Sequence, residues 1–231
     1  MRAIVAARAI ASQVEELRAS GEAEGKALLL VGPPSTGKTR WAREWAKQNR
    51  SWRERESDIA SIRRIVGLGD LKPHEMGDGE LATGGPFRAP HHTVSEVGLT
   101  GMMRRGFVVQ PGEVSIAHGG TLFLDEVIEF QRQALEMVRS VWALGFVRLS
   151  SAAVNGERAN VIVPAEFSLV MASTPCPCGW FGDDTSKVGC RCSPSVLERY
   201  RSRLAGIVNH DRTLVLRSDV KGGFEPGRIE G

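Results

Sequence analysis

Eight residues, Gly32-Pro33-Pro34-Ser35-Thr36-Gly37-Lys38-Thr39, restrict this chain more than any other part of it. They form a G-x-x-x-x-G-K-T run between the apolar stretch Ala27 to Val31 and the helical pattern Lys38 to Gln48. A short continuous apolar run is what a strand buried on both faces of a parallel sheet looks like. A strand, a glycine-rich turn and a helix in that order aim backbone N–H groups at a bound phosphate. That flanking context makes the pattern a site and not a chance loop. On this reading Gly32, Pro33, Pro34, Ser35, Thr36, Gly37, Lys38, Thr39 and Arg40 surround the phosphates of ATP. Lys38 reaches the β and γ phosphates, and the Thr39 hydroxyl binds Mg²⁺.

The partner motif is Thr121-Leu122-Phe123-Leu124-Asp125-Glu126. A buried strand ending in two carboxylates delivers them to the carboxyl edge of the sheet, where open α/β sheets bind ligands. Asp125 is expected to hold the magnesium through its water shell, and Glu126 to orient and deprotonate the attacking water. A third buried strand, Ser168 to Ala172, leads into Ser173-Thr174. Thr174 is a candidate sensor of the γ-phosphate, the alternative being a simple turn former. Val147 to Leu149 and Val161 to Val163 read as two strands with an Asn155-Gly156 turn between them. Further helices are expected over most of 2–20, around Ile59 to Val66, over Gln131 to Leu144 and after Ser193-Pro194. The fold class is α/β, a parallel sheet flanked by helices. Residues 67–120 are rich in Gly, Pro and His and show weak periodicity, as a functional irregular stretch would.

Four cysteines all fall in one short segment, as Cys176-Pro177-Cys178 and Cys190-Arg191-Cys192. They can supply a tetrahedral sulfur set for structural zinc, or they are buried free thiols. No disulfide framework is implied by such clustering. His91 and His92 are neighbours in sequence, not on one helix face, and read as a loop anchored by hydrogen bonds. Arg191, Arg199, Arg201 and Arg203 could meet phosphates but fit a solvated helix face better.

With 231 residues the chain can bury a sizeable core, and a net charge of +3 is too small to argue for a nucleic-acid partner. No stretch approaches the roughly 18 apolar residues of a membrane span, and the N-terminus lacks a secretory pattern. A cytoplasmic protein is expected.

Several segments together carry a family resemblance. They are Pro86-Phe87-Arg88-Ala89-Pro90-His91-His92-Thr93, Pro111-Gly112-Glu113-Val114-Ser115-Ile116-Ala117-His118, the strand before Asp125-Glu126, Pro175-Cys176-Pro177-Cys178-Gly179 and Cys190-Arg191-Cys192. The chain resembles the magnesium-chelatase-like AAA+ ATPases of the competence protein ComM type over roughly residues 25 to 206. The resemblance implies a P-loop NTPase core with a β-hairpin before the third buried strand, and a homo-oligomeric, hexameric ring motor. It also implies DNA as a partner, through branch migration. Porphyrin metallation is the disfavoured alternative, since the true chelatase subunits lack the Phe-Arg-Ala-Pro-His-His and Cys-Pro-Cys signatures.

The departures are specific. Ser35 stands where the family has glycine, which a negative φ would accommodate. Thr174 replaces a sensor asparagine, and Gly101-Met102-Met103 replaces a glycine triplet in an insert expected to contact DNA. Gly206-Ile207-Val208-Asn209-His210-Asp211-Arg212 stands where the family has Gly-Pro-Leu-Leu-Asp-Arg, so Arg212 is the candidate arginine finger. The expected organisation is an N-terminal helix over 1–24, the ATPase core over 25–206 and an irregular tail over 207–231. No helical lid with a sensor arginine and no protease-like N-terminal domain can be read from the chain. A non-motor ATP-binding module acting with a partner ATPase is therefore the second reading.

Overall fold

The computed structural model describes residues 12–49, 51–68, 85–104, 108–151, 159–182, 189–207, 212–218 and 224–226. Two compact units emerge: Met1–Trp45 with Leu124–Glu129 and Val170–Gly231, and Ala46–Phe123 with Phe130–Leu169. The strands run in the order β10-β9-β1-β8 in the first unit and β5-β2 in the second, where β1 is Ala27–Val31, β2 Phe87–Arg88, β5 Thr121–Leu124, β8 Ser168–Ser173, β9 Thr213–Ser218 and β10 Phe224–Pro226. This is the expected α/β architecture.

In the first unit β1 lies between β8 and β9 and is parallel to both, with Val31 opposite Ser173 on one side and Arg217 on the other. A strand paired on both edges and covered on both faces has no polar side, which is why Ala27-Leu28-Leu29-Leu30-Val31 is apolar throughout. Leu28, Leu29 and Leu30 are at most 1% exposed, each burial contributing about 1.5–3 kcal/mol. After the phosphate loop comes α2 (Lys38–Gln48), whose Trp41 and Trp45 stack with ring centroids 5.6 Å apart. A helix over 12–19, α1, docks on it. Val14 is fully buried, and the Arg18 guanidinium lies over the Trp45 ring and donates to the Trp45 carbonyl at 2.8 Å. Burial lowers the Arg18 pKa to about 10. The rest of the expected 2–20 helix, residues 2–11, lies outside the described residues. Helix α7 (Pro194–Ile207) starts where Ser193-Pro194 predicts, with the Ser193 carbonyl accepting from Leu197 N at 3.0 Å.

The expected irregular tail over 207–231 is corrected. Thr213–Ser218 forms β9 along the whole of β1, and β10 pairs antiparallel with β9. Val215 and Leu216 are buried there. Thr213-Leu214-Val215-Leu216 is only a brief apolar run between polar segments, and its strand character comes from the open edge of β1 that it covers.

In the second unit β2 runs parallel to β5. Helices α3 (Glu56–Ile65) and α6 (Arg132–Leu144) form where the 3.6 periodicity predicts. Gly145 ends α6 in the left-handed conformation, at φ 77. The hairpin of β6 (Phe146–Ser150) and β7 (Asn160–Pro164) has the expected antiparallel pairing, its Asn155-Gly156 turn lying outside the described residues. The stretch read as irregular is more ordered than its composition suggests. Besides β2 it holds α4 (Glu96–Thr100), a second hairpin of β3 (Gly101–Arg104) and β4 (Val108–Pro111), and the short α5 (Glu113–Ile116). Gly101-Met102-Met103 thus pairs as a strand, with Met103 buried. Residues 69–84 lie outside the described set. Gly120 explains its own motif. A Cβ there would sit 1.9 Å from the Pro86 carbonyl oxygen, so only glycine lets the chain enter β5 at this point.

Candidate functional site

Every residue read from sequence as catalytic or nucleotide-binding falls in the first unit. Strand β1 ends at Val31, and Gly32 N donates to the Ser173 carbonyl at 3.2 Å, so the loop leaves the sheet beside the end of β8. The loop is held from inside. Thr36 Oγ1 donates to the Pro33 carbonyl at 2.9 Å, and Lys38 Nζ donates to the carbonyls of Gly32 and Pro33 at 2.8 and 2.9 Å. Lys38 is only 7% exposed. Burial pushes its pKa down, and the Glu126 and Asp125 carboxylates push it back up. Its ammonium is thus partly desolvated and held by two carbonyls of the loop.

Ser35 has φ 63, against the expectation of a negative φ. The turn that brings Gly37 and Lys38 into α2 needs a left-handed residue here, and the serine adopts it at a cost of about 1–2 kcal/mol. Strain of this kind persists where the surroundings over-determine the backbone, commonly at ligand-binding loops.

Across from the loop, Thr39 Oγ1 donates to Asp125 Oδ2 at 3.2 Å. A hydroxyl and a carboxylate oxygen on adjoining elements are the hard donors that Mg²⁺ takes with its water shell, so the pair fits the ion. Glu126 follows in the left-handed region at φ 49, its N–H donating to Asp125 Oδ1 at 3.0 Å. That bond fixes the turn after β5 while the other Asp125 oxygen accepts from Thr39.

Thr174 directly follows β8, and its Oγ1 lies 2.9 Å from the Tyr200 hydroxyl. The same hydroxyl reaches Ser173 Oγ at 3.2 Å and donates to the Thr174 carbonyl at 3.2 Å. Burial raises the Tyr200 pKa, so the phenol keeps its proton at neutral pH. Tyr200 is the residue that sequence reasoning missed. It is the only tyrosine of the chain, and its place on α7 facing Ser173 and Thr174 has no local pattern to reveal it.

Arg212 is not brought to this site. The Arg212 carbonyl accepts from Ala27 N at 2.8 Å, which puts the residue at the start of β1, whereas the phosphate loop follows its end. Register puts Arg217 beside Val31 instead.

The four thiols converge. Cys176 Sγ is 3.3 Å from Cys178 Sγ and 3.8 Å from Cys190 Sγ, and all four sulfurs lie within 4.8 Å of one another. Zinc–sulfur bonds of 2.3 Å in a tetrahedron need sulfurs about 3.8 Å apart, so the donor set fits zinc. Backbone amides of Arg191 and Trp180 lower the Cys178 pKa, whereas burial and the neighbouring thiols raise those of Cys190 and Cys192. Among the described residues this is the one cluster of such side chains able to hold a metal. His91 and His92 are not part of it: His91 Nδ1 pairs with Thr93 Oγ1 at 2.9 Å, and His92 packs edge-on against Phe130. Nearby in sequence, Arg88 and Glu113 form a two-bond ion pair at 2.7 and 2.8 Å, which links the Phe-Arg-Ala-Pro and Pro-Gly-Glu-Val segments. Arg199 and Arg203 line a pocket of about 210 Å³ with Glu129, Pro177 and Tyr200, while Arg201 lies over the Phe181 ring.

Residues 3–220 match the family model described as magnesium chelatase, subunit ChlI. The chain belongs to this family. It is similar to the competence protein ComM of Haemophilus influenzae, being 36% identical over 180 residues that cover 78% of this chain and 32% of that protein. It is 35% identical over 192 residues to the protein YifB of Salmonella typhimurium, covering 83% and 34%. The chain therefore spans about a third of the length of the curated relatives it matches. Among solved structures, NtrX of Brucella abortus in complex with ADP superposes with a TM-score of 0.42 at 16% identity, covering 70% of this chain and 28% of that one. The parallel sheet and the phosphate-loop sequence agree with the α/β, P-loop core expected for the chain's family. Among the described residues, no helix is long and apolar enough to cross a membrane.

Proposed function

We propose that this chain binds Mg·ATP between the phosphate loop and Asp125, and that Glu126 activates the water that attacks the γ-phosphate. The observation that carries the reading is the Thr39 Oγ1 to Asp125 Oδ2 contact at 3.2 Å, with Lys38 buried next to Thr39 in sequence and Glu126 next to Asp125. Phosphoryl transfer asks little covalent chemistry of a protein. It asks for charge at the phosphates, a held metal and a placed water. Lys38 and the loop amides would supply the first, Thr39 and Asp125 the second, and Glu126 with Thr174 the third. Zinc on the four cysteines would supply structure and no step of the reaction.

The relation to ComM supports coupling of turnover to DNA remodelling by a ring of several copies. Arg212, remote from the phosphate loop of its own chain, would act on nucleotide held by a neighbouring copy. The test is steady-state ATP hydrolysis with and without single- and double-stranded DNA, with Glu126→Gln as the blank, and size exclusion with and without ATP. DNA-stimulated turnover above the blank and nucleotide-dependent assembly are expected. Bound ATP without turnover would instead favour a module that works with a partner ATPase. Turnover undiminished in Glu126→Gln would move the base elsewhere.

A further inference from the structure

Cys176 lies two residues beyond Thr174, and Cys192 lies two residues before the first residue of α7, the helix that carries Tyr200. The thiol cluster thus stands at both roots of the Thr174–Tyr200 contact. The Cys176-Pro177-Cys178-Gly179 turn is closed by Gly179 N donating to the Cys176 carbonyl at 2.9 Å. Gly179 has φ 86, and a Cβ there would lie 2.7 Å from Pro34 Cδ, 2.9 Å from Pro34 Cγ and 3.8 Å from Thr174 Cγ2. The turn that presents two of the four sulfurs is therefore pressed against the phosphate loop. Its contact residue Pro34 immediately precedes Ser35, whose left-handed backbone must be held by its surroundings. On its other side, Pro177 lines the same pocket as Tyr200.

We propose that a zinc ion on Cys176, Cys178, Cys190 and Cys192 clamps this turn against Pro34, and that zinc occupancy thereby sets the affinity of the phosphate loop for Mg·ATP. A metal joining Cys176 and Cys178 to Cys190 and Cys192 fixes the two cysteine pairs against each other, so its binding energy becomes ordering energy for the turn. Without the metal the turn has fewer constraints, Pro34 loses a fixed neighbour, and the phosphate loop must be ordered at the expense of ATP binding. Linkage is reciprocal: Mg·ATP tightens zinc by the factor by which zinc tightens Mg·ATP. The inference rests on the nucleotide-site reading above.

The test uses the full chain. Zinc is measured by elemental analysis, and the Kd for Mg·ATP is measured by calorimetry as purified, after a zinc-selective chelator, and after zinc is restored. Affinity should fall about tenfold on stripping, the ordinary size of coupling between two sites, and return with the metal. Gly179→Ala, which strains the turn at φ 86 and pushes it away from Pro34, should show the weaker affinity whether or not it keeps its zinc. It decides the matter if the stripped chain unfolds by circular dichroism. Zinc loss with unchanged affinity, or Gly179→Ala with full affinity, overturns the coupling and leaves both sites standing. A folded chain that never holds zinc overturns the metal and the coupling but not the nucleotide site. A zinc-loaded chain that binds Mg·ATP no better than Lys38→Ala removes the nucleotide reading, and the coupling with it.

Discussion

Ser35→Gly isolates the strain in the phosphate loop. At φ 63 the serine Cβ crowds its own backbone, a cost of about 1–2 kcal/mol that glycine does not incur. Glycine gains freedom in the unfolded chain, which offsets about 0.5–1 kcal/mol of that relief. The net expectation is a stabilisation of about 0.5–1 kcal/mol, or a rise in Tm of about 1–4 °C for a chain of this size. Two further variants control for the side chain. Ser35→Ala keeps the Cβ and loses only the hydroxyl, so it should show no gain. Ser35→Val adds a branched Cβ in the left-handed region and should be worse than wild type. Denaturant or thermal unfolding of the four proteins side by side is the assay. A Ser35→Gly protein less stable than wild type, with Ser35→Val unchanged, would refute a positive φ at this position.

Tyr200→Phe removes a phenol that bridges Ser173 and Thr174; about 1–2 kcal/mol of stability should be lost, since neutral hydrogen bonds contribute about 1 kcal/mol each. ATP turnover should fall with Kd for Mg·ATP little changed, and unaltered turnover would deny Tyr200 a positioning role. Burial of Lys38 disfavours its charged form, a penalty present at neutral pH that disappears as pH rises past the ordinary lysine value. Phosphate binding needs the ammonium, so Mg·ATP affinity should weaken on the alkaline side below the pH at which a free lysine titrates; a Kd flat to that pH would contradict this. Gly120→Ala should cost at least about 2 kcal/mol in denaturant unfolding, because its Cβ meets the Pro86 carbonyl oxygen, whereas the open position Gly206→Ala should not destabilise the chain.

The elements whose pattern is local were legible in the sequence. Ala27–Val31, Thr121–Leu124 and Lys38–Gln48 occupy the ranges that apolar runs and helical spacing predict, because a strand buried on both faces or an amphipathic helix writes its surroundings into consecutive residues. The glycine-rich turn between strand and helix was legible as a loop for the same reason. The strand Thr213–Ser218 was not legible, since what makes it a strand is the free edge of β1, far away in sequence. Nor was the left-handed Ser35, whose residue type argues against the conformation that the loop imposes on it. Tyr200 meeting Thr174, and Gly179 lying against Pro34, depend on where α7 and the cysteine turn come to rest. Sequence alone determined which residues carry donor groups suited to phosphate, magnesium and zinc, because residue type sets donor chemistry. Only the tertiary structure decided which of them touch, because contact between distant segments is set by packing of the whole sheet.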